Sequence, residues 1–146
     1  MASVDQYIEL GIAGESYGIK IEHIHEIIRV QQITQIPNSK PYMTGVINLR
    51  GSIVPIVSLR SRFSIGESQA TSSTRIIVVN MDEVMVGLVV DRVQQVITID
   101  HIQPPPEQVG ALEGKFISGM GQANGQLIGI LKLNEILGLG AGELIC

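Results

Sequence analysis

Tyr17-Gly18-Ile19-Lys20-Ile21-Glu22-His23-Ile24-His25-Glu26-Ile27-Ile28 falls without a gap on Val86-Gly87-Leu88-Val89-Val90-Asp91-Arg92-Val93-Gln94-Gln95-Val96-Ile97 when the sequence is slid by 69 positions. Both stretches read apolar, glycine, apolar, any, apolar, acid, any, apolar, any, any, apolar, apolar. The same offset lays Tyr7-Ile8-Glu9-Leu10 on Ile76-Ile77-Val78-Val79, and an offset of 74 lays Gly51-Ser52-Ile53-Val54-Pro55-Ile56-Val57-Ser58-Leu59 on Gly125-Gln126-Leu127-Ile128-Gly129-Ile130-Leu131-Lys132-Leu133. A repeat of this kind bears on architecture before any single element is assigned. Each copy reads as strand, tight turn, strand, acidic turn, strand, an irregular excursion with prolines, then a hairpin round a glycine. Short strands with Gly and Pro punctuation predict a mainly β protein of two small barrels, and no long amphipathic helix stands ready to make the crossovers of a parallel sheet.

The composition agrees. The chain has 146 residues, 45% of them hydrophobic and 16% charged, which excludes the weakly apolar, self-repelling signature of disorder. With 3% aromatics and no Trp, the apolar volume comes mostly from 23 Ile and 14 Val, stiff side chains that suit a pleated surface. The polar run from Ser61 to Thr74 reads as a flexible loop between halves of about 5–65 and 75–138, followed by a tail at 139–146. Pro104-Pro105-Pro106 marks a connection in the second half. Lys132 to Leu137 before Gly138 has the spacing of a short terminal helix with a Gly stop, and a one-turn helix is expected over Glu22 to Glu26.

The net charge of −4 comes from scattered residues with no basic run, so neither nucleic acid nor an anionic membrane surface is expected as a partner. No apolar run approaches the roughly 18 residues of a membrane span, and no leader pattern opens the chain, so a cytoplasmic protein without direct membrane insertion is expected. The single Cys146 makes neither an internal disulfide nor a thiolate metal site.

Two motifs carry possible chemistry. Gly14-Glu15-Ser16-Tyr17-Gly18 matches the G-x-S-x-G elbow of serine hydrolases. A helix must follow such a Ser, whereas Tyr17 to Ile21 alternates as a strand and Met85 fills the same slot in the second copy; a small serine esterase using Ser16 is the remote alternative. Glu22-His23-Ile24-His25-Glu26 gathers metal-competent ligands, but Asp91, Arg92, Gln94 and Gln95 replace them in the second copy, so a solvated face is expected. No catalytic set, metal or cofactor follows.

The segment Gly45-Val46-Ile47-Asn48-Leu49-Arg50-Gly51-Ser52-Ile53-Val54-Pro55-Ile56-Val57 makes the most unusual demand. Apolar strands flank a tip at which Gly51 can take positive φ. Arg50 lies among apolar neighbours: either it is an ordinary surface residue at a hairpin end, or it is partly buried and needs a partner, for which Glu26 is the candidate. Pro55 within the second strand suggests an edge or a bulge.

The run from Gly45 to Phe63, with Tyr17-Gly18-Ile19-Lys20-Ile21 to Ile27 and Val86-Gly87-Leu88-Val89-Val90-Asp91-Arg92-Val93, resembles the CheW family, the coupling proteins of bacterial chemosensory arrays, over about residues 5–138. The resemblance implies a single CheW-like domain of two SH3-like five-stranded barrels with strand exchange between them. It implies a non-catalytic adaptor, without a cofactor, joining the cytoplasmic tip of methyl-accepting chemotaxis receptors to the regulatory domain of the histidine kinase CheA. A chemotaxis signalling array is the leading setting, and a type IV pilus twitching or phototaxis pathway the alternative. By position, Glu26 and Arg50 match the family's paired residues near the receptor groove; Ile24, Ile27, Val46 and Leu49 would line its apolar part, and Gly45 and Gly51 would permit close approach. Ser58 stands where the family usually has Asp, which leaves the partners of Arg60 and Arg62 to be found.

Overall fold

The computed structural model describes residues 5–37, 40–99, 101–109 and 112–138; the expected tail, with Cys146, lies outside them. Its strands are β1 (Asp5–Ile12), β2 (Glu15–Lys20), β3 (Ile24–Arg29), β4 (Met43–Leu49), β5 (Ser52–Ser58), β6 (Arg75–Met81), β7 (Val84–Val90), β8 (Arg92–Ile99), β9 (Ile102–Gln103), β10 (Gln108–Val109), β11 (Leu112–Glu113), β12 (Ile117–Ala123) and β13 (Gln126–Leu131). Two short helices, α1 (Leu59–Arg62) and α2 (Leu133–Leu137), and 3-10 turns at Ile21–His23 and Gly114–Phe116 complete it. The mainly β expectation holds.

Four hairpins turn on two residues each, both with positive φ: Ala13-Gly14, Arg50-Gly51, Asp82-Glu83 and Asn124-Gly125. That is the type I′ geometry, whose twist matches that of the flanking strands. The offset of 69 carries the first onto the third, and 74 carries the second onto the fourth.

Eleven of the strands form one sheet in the order β8-β1-β2-β13-β12-β9 and another in the order β3-β6-β7-β5-β4, and β10 pairs with β11 alone. The repeat offsets convert one order into the other element by element. Even β9 has its counterpart: Gln103 pairs with Met120, and at the equivalent place Thr34 makes an isolated bridge to Val46. One sheet therefore counts six strands where five are expected, because the bridge is too short to count as a strand and β9 is just long enough. The leading hairpin of each copy sits in the sheet of the other. β1 pairs with β8 and β2 runs parallel to β13, while β6 pairs with β3 and β7 runs parallel to β5.

Leu10, Tyr17, Val57, Leu59, Leu88 and Phe116 belong to one apolar cluster drawn from both sheets. Two smaller clusters fill the individual sheets, one around Tyr7, Ile97 and Ile128 and its counterpart around Ile76, Ile56 and Val54.

Three local expectations are corrected. The one-turn helix is confined to Ile21–His23 and β3 begins at Ile24, because Ile24 and Ile28 pack against different apolar clusters, a placement the strand provides. α1 occupies the start of the stretch read as a loop; Ser58 Oγ accepts from Ser61 N at 3.2 Å and starts it. The rest of that stretch is tied down, with Ser58 Oγ donating to Glu67 Oε1 at 2.7 Å and Arg60 Nη1 donating to Gly66 O at 3.1 Å. Pro55 is in an internal strand, not at an edge, while the β4–β5 register does shift next to it, between Met43 and Gly45. Val46 N–H and C=O both bond to Thr34, so the Val46–Pro55 pair needs no donor from residue 55, and the β7 ladder starts one residue later at Ile56.

Candidate functional site

The turn Arg50-Gly51 closes β4 on β5, and Asn48 Oδ1 accepts from Gly51 N at 2.8 Å to hold it. Arg50 itself is in the left-handed region, φ 50°. Its guanidinium reaches Glu26 on β3, the strand at the opposite edge of the same five-stranded sheet. Nη1 donates to Glu26 Oε2 at 3.3 Å and Nη2 donates to Oε1, a two-pronged pair of the kind that fixes geometry as well as charge. His25 Nε2 stands 3.4 Å from Glu26 Oε1. The Arg50 hydrogen bonds hold the Glu26 carboxyl below its ordinary range, and Glu26 in turn raises Arg50. Both charges persist at neutral pH on a solvent-facing surface.

The other expected residues separate. Leu49, next to Arg50 in sequence, is half-buried, whereas Ile27, 37% exposed, follows Glu26 in β3 and so points to the opposite face of the strand. Ile24 and Val46 pack into the large core cluster. Gly51 faces open space. Gly45 does not offer close approach to a partner, since the chain's own Ile33 and Thr34 already fill the space a Cβ would take.

The two candidate chemistries lack their geometry. Ser16 lies in β2, after a hairpin turn and ahead of more strand, and its Oγ donates to Gln94 Oε1 at 3.2 Å. In the stretch from Glu22 to Glu26, Glu22 pairs with Lys20 at 3.2 Å and Glu26 with Arg50, so both carboxylates face cations.

The substitution at Ser58 leaves both neighbouring arginines engaged. Arg60 grips Asp91 through Nε to Oδ1 at 2.9 Å and Nη2 to Oδ2 at 2.7 Å, while Ala13 N donates to Asp91 Oδ2 at 2.8 Å. Asp91 is the single residue joining β7 of one sheet to β8 of the other, so its carboxylate ties α1 and the first hairpin to that crossover. Arg62 donates to Ile136 O at 2.8 Å and Glu135 O at 2.9 Å, closing the end of α2, and stacks on Tyr42 and Phe116.

Sequence reasoning missed further exposed apolar residues, although the repeat held the signal. Ile53 is 62% exposed and its counterpart Leu127 56%; Val96, the counterpart of Ile27, is 52% exposed. Apolar side chains placed outward twice at equivalent positions mark matched surfaces on the two halves.

Known proteins resemble this chain over most of its length. A family model described as "CheW-like domain" matches residues 6–140. The chemotaxis protein CheW of Klebsiella aerogenes is 33% identical over 134 residues, covering 90% of this chain and 81% of the relative. The CheW of Bacillus subtilis is 32% identical over 135 residues, covering 91% and 86%. The crystal structure of the scaffolding protein TtCheW from Thermoanaerobacter tengcongensis superimposes with a TM-score of 0.85 at 34% identity, covering 94% of this chain and 90% of that one. The chain therefore belongs to the CheW family of chemotaxis proteins.

Proposed function

We propose that the chain is a non-catalytic adaptor that couples the cytoplasmic tip of a methyl-accepting chemoreceptor to the regulatory domain of the kinase CheA. The observation that carries the reading is the surface ion pair between Glu26 and Arg50 in a chain of this family, and the reading adds Ile27 and Leu49 to the apolar part of the receptor face. An exposed pair of this kind contributes little to folding, yet its fixed donors and acceptors suit recognition of a partner. In this reading Ile24, Val46, Gly45 and Gly51 shape the receptor face, with Gly45 acting through the packing of residues 33–34. The matched exposed residues Ile53 and Leu127 support docking of other domains at both ends of the molecule.

No helix among the described residues is long and apolar enough to cross a membrane, and recruitment to receptor arrays belongs to the same proposal. Titration of the purified chain with a receptor signalling-tip fragment and, separately, with the kinase regulatory domain tests it. Saturable binding to both is expected. Absence of binding to either removes the adaptor reading.

A further inference from the structure

The repeat also duplicates a cavity. One, of about 370 Å³, is lined by Ile33, Thr44, Ser58, Arg60, Thr74 and Val89 among others. The other, of about 360 Å³, is lined at the equivalent positions by Ile102, Ser118, Lys132, Asn134, Asp5 and Lys20. The offset of 69 relates Ile33 to Ile102, Thr74 to Asp5 and Val89 to Lys20, while 74 relates Thr44 to Ser118, Ser58 to Lys132 and Arg60 to Asn134. They are the same cavity built twice.

The chain itself enters the first. Glu67 to Thr71, part of the segment that leads into β6, lines that cavity; the Glu67 carboxylate is received by Ser58, and Gly66 O by Arg60. Of the stretch equivalent to 66–74, Asp5, the counterpart of Thr74, is the residue that is described, and it lines the second cavity. The walls differ. Ser58, which donates to the carboxylate in the first, is replaced by Lys132, exposed and without an ion-pair partner among the described residues. Asn134 keeps an amide donor where Arg60 donates to a carbonyl. Lys20 is paired with Asp5 at 3.4 Å and Glu22 at 3.2 Å, so Lys132 is the cation left to meet an incoming anion.

We propose that the cavity beside β1, β12 and α2 is a docking slot for an extended acidic segment of a partner protein, with a carboxylate received by Lys132 and a backbone carbonyl by Asn134, as the chain's own Glu67 segment is received in the twin. The inference stands on the duplicated cavity and does not use the receptor face around Arg50.

The probe is a capped nine-residue peptide of this chain's own filling segment, Gly66 to Thr74, titrated to millimolar concentration into the isotopically labelled full chain and followed by NMR. Saturable shifts centred on Ile102, Ser118, Lys132 and Asn134 are expected. Lys132→Glu should weaken binding about tenfold, the loss expected for one charge-assisted hydrogen bond. The peptide carrying Gln for Glu67 should be weakened similarly. Lys132 is exposed, so Lys132→Glu leaves the fold intact, checked by unchanged shifts elsewhere in the free protein. No saturable shift, shifts confined to the Ser58 cavity, or binding indifferent to Lys132→Glu would overturn the proposal. Receptor-tip binding, measured on the same variant, reports separately on the adaptor reading and is expected to be unchanged.

Discussion

A methyl group at Gly45 should unlock the segment that crosses β4. An ideal Cβ there lies 2.8 Å from Ile33 Cγ2 and closer still to Thr34 O, and the residue has φ 153°. The carbonyl is backbone, so Gly45→Ala has no flexible side-chain end to push aside. Relief requires residues 33–34 to lift away, breaking Thr34 N to Val46 O and Val46 N to Thr34 O, both 2.8 Å. Two such bonds contribute about 1–3 kcal/mol together. Holding alanine at this φ costs about another 1–3 kcal/mol. The total of about 2–6 kcal/mol is a large part of the 5–15 kcal/mol typical of a domain. Urea unfolding, read as a shift in midpoint at unchanged slope, measures it. Gly51→Ala is the internal control: its Cβ meets nothing within 4 Å, so only the left-handed backbone is strained, about 1–2 kcal/mol. If Gly45→Ala costs no more than Gly51→Ala, the crossing segment does not hold β4 as described.

Other outcomes follow from the side-chain contacts. Arg50→Glu places like charges together at an exposed site, so the receptor-tip affinity should fall at least tenfold while the melting temperature hardly moves; calorimetry on the variant checks both, and unfolding would make Arg50 structural. Arg62→Ala removes two charge-assisted bonds to the end of α2 and the stacking on Tyr42 and Phe116, a loss of about 2–4 kcal/mol in denaturant titration, with the largest gain in amide exchange expected at α2. The hydrogen bonds from Arg60 hold the Asp91 carboxyl below its ordinary range, with help from Ala13 N. A depressed carboxyl stabilises the fold above its unfolded pKa, near 4, and that contribution disappears as pH falls through the lower folded value. Acid unfolding followed below about pH 4 should therefore flatten in Asp91→Asn relative to the parent.

How the halves are built was legible in the sequence because turn chemistry and apolar period repeat together. Gly14, Gly51 and Gly125 announce three of the four hairpins, and the fourth, at Asp82-Glu83, was recoverable only through the offset from Ala13-Gly14. α1 was hidden by its polar composition, yet the offset that carries Leu133 onto Leu59 would have found it from α2. The strand pairings were not legible in detail. β2 against β13 and β7 against β5 are parallel contacts between distant segments, and the pattern of outward and inward residues is the same whichever sheet a hairpin joins. A part-buried arginine needs a carboxylate, which pointed from Arg50 to Glu26; the pair is there, but Arg50 is exposed, so burial is not what requires it. Glu67 reaching Ser58 was not readable, since a glutamate in a polar stretch carries no such demand. Burial of Gly45 beneath Thr34 was equally hidden, because a glycine's need for space does not say who fills it.

The most direct test of the adaptor reading is whether the chain joins its two proposed partners. Receptor signalling-tip fragments are immobilised and the kinase regulatory domain is passed over them with and without this protein. The kinase domain is expected to be retained only when the chain is present, and much less with Arg50→Glu. Equal retention with and without the chain would contradict the account.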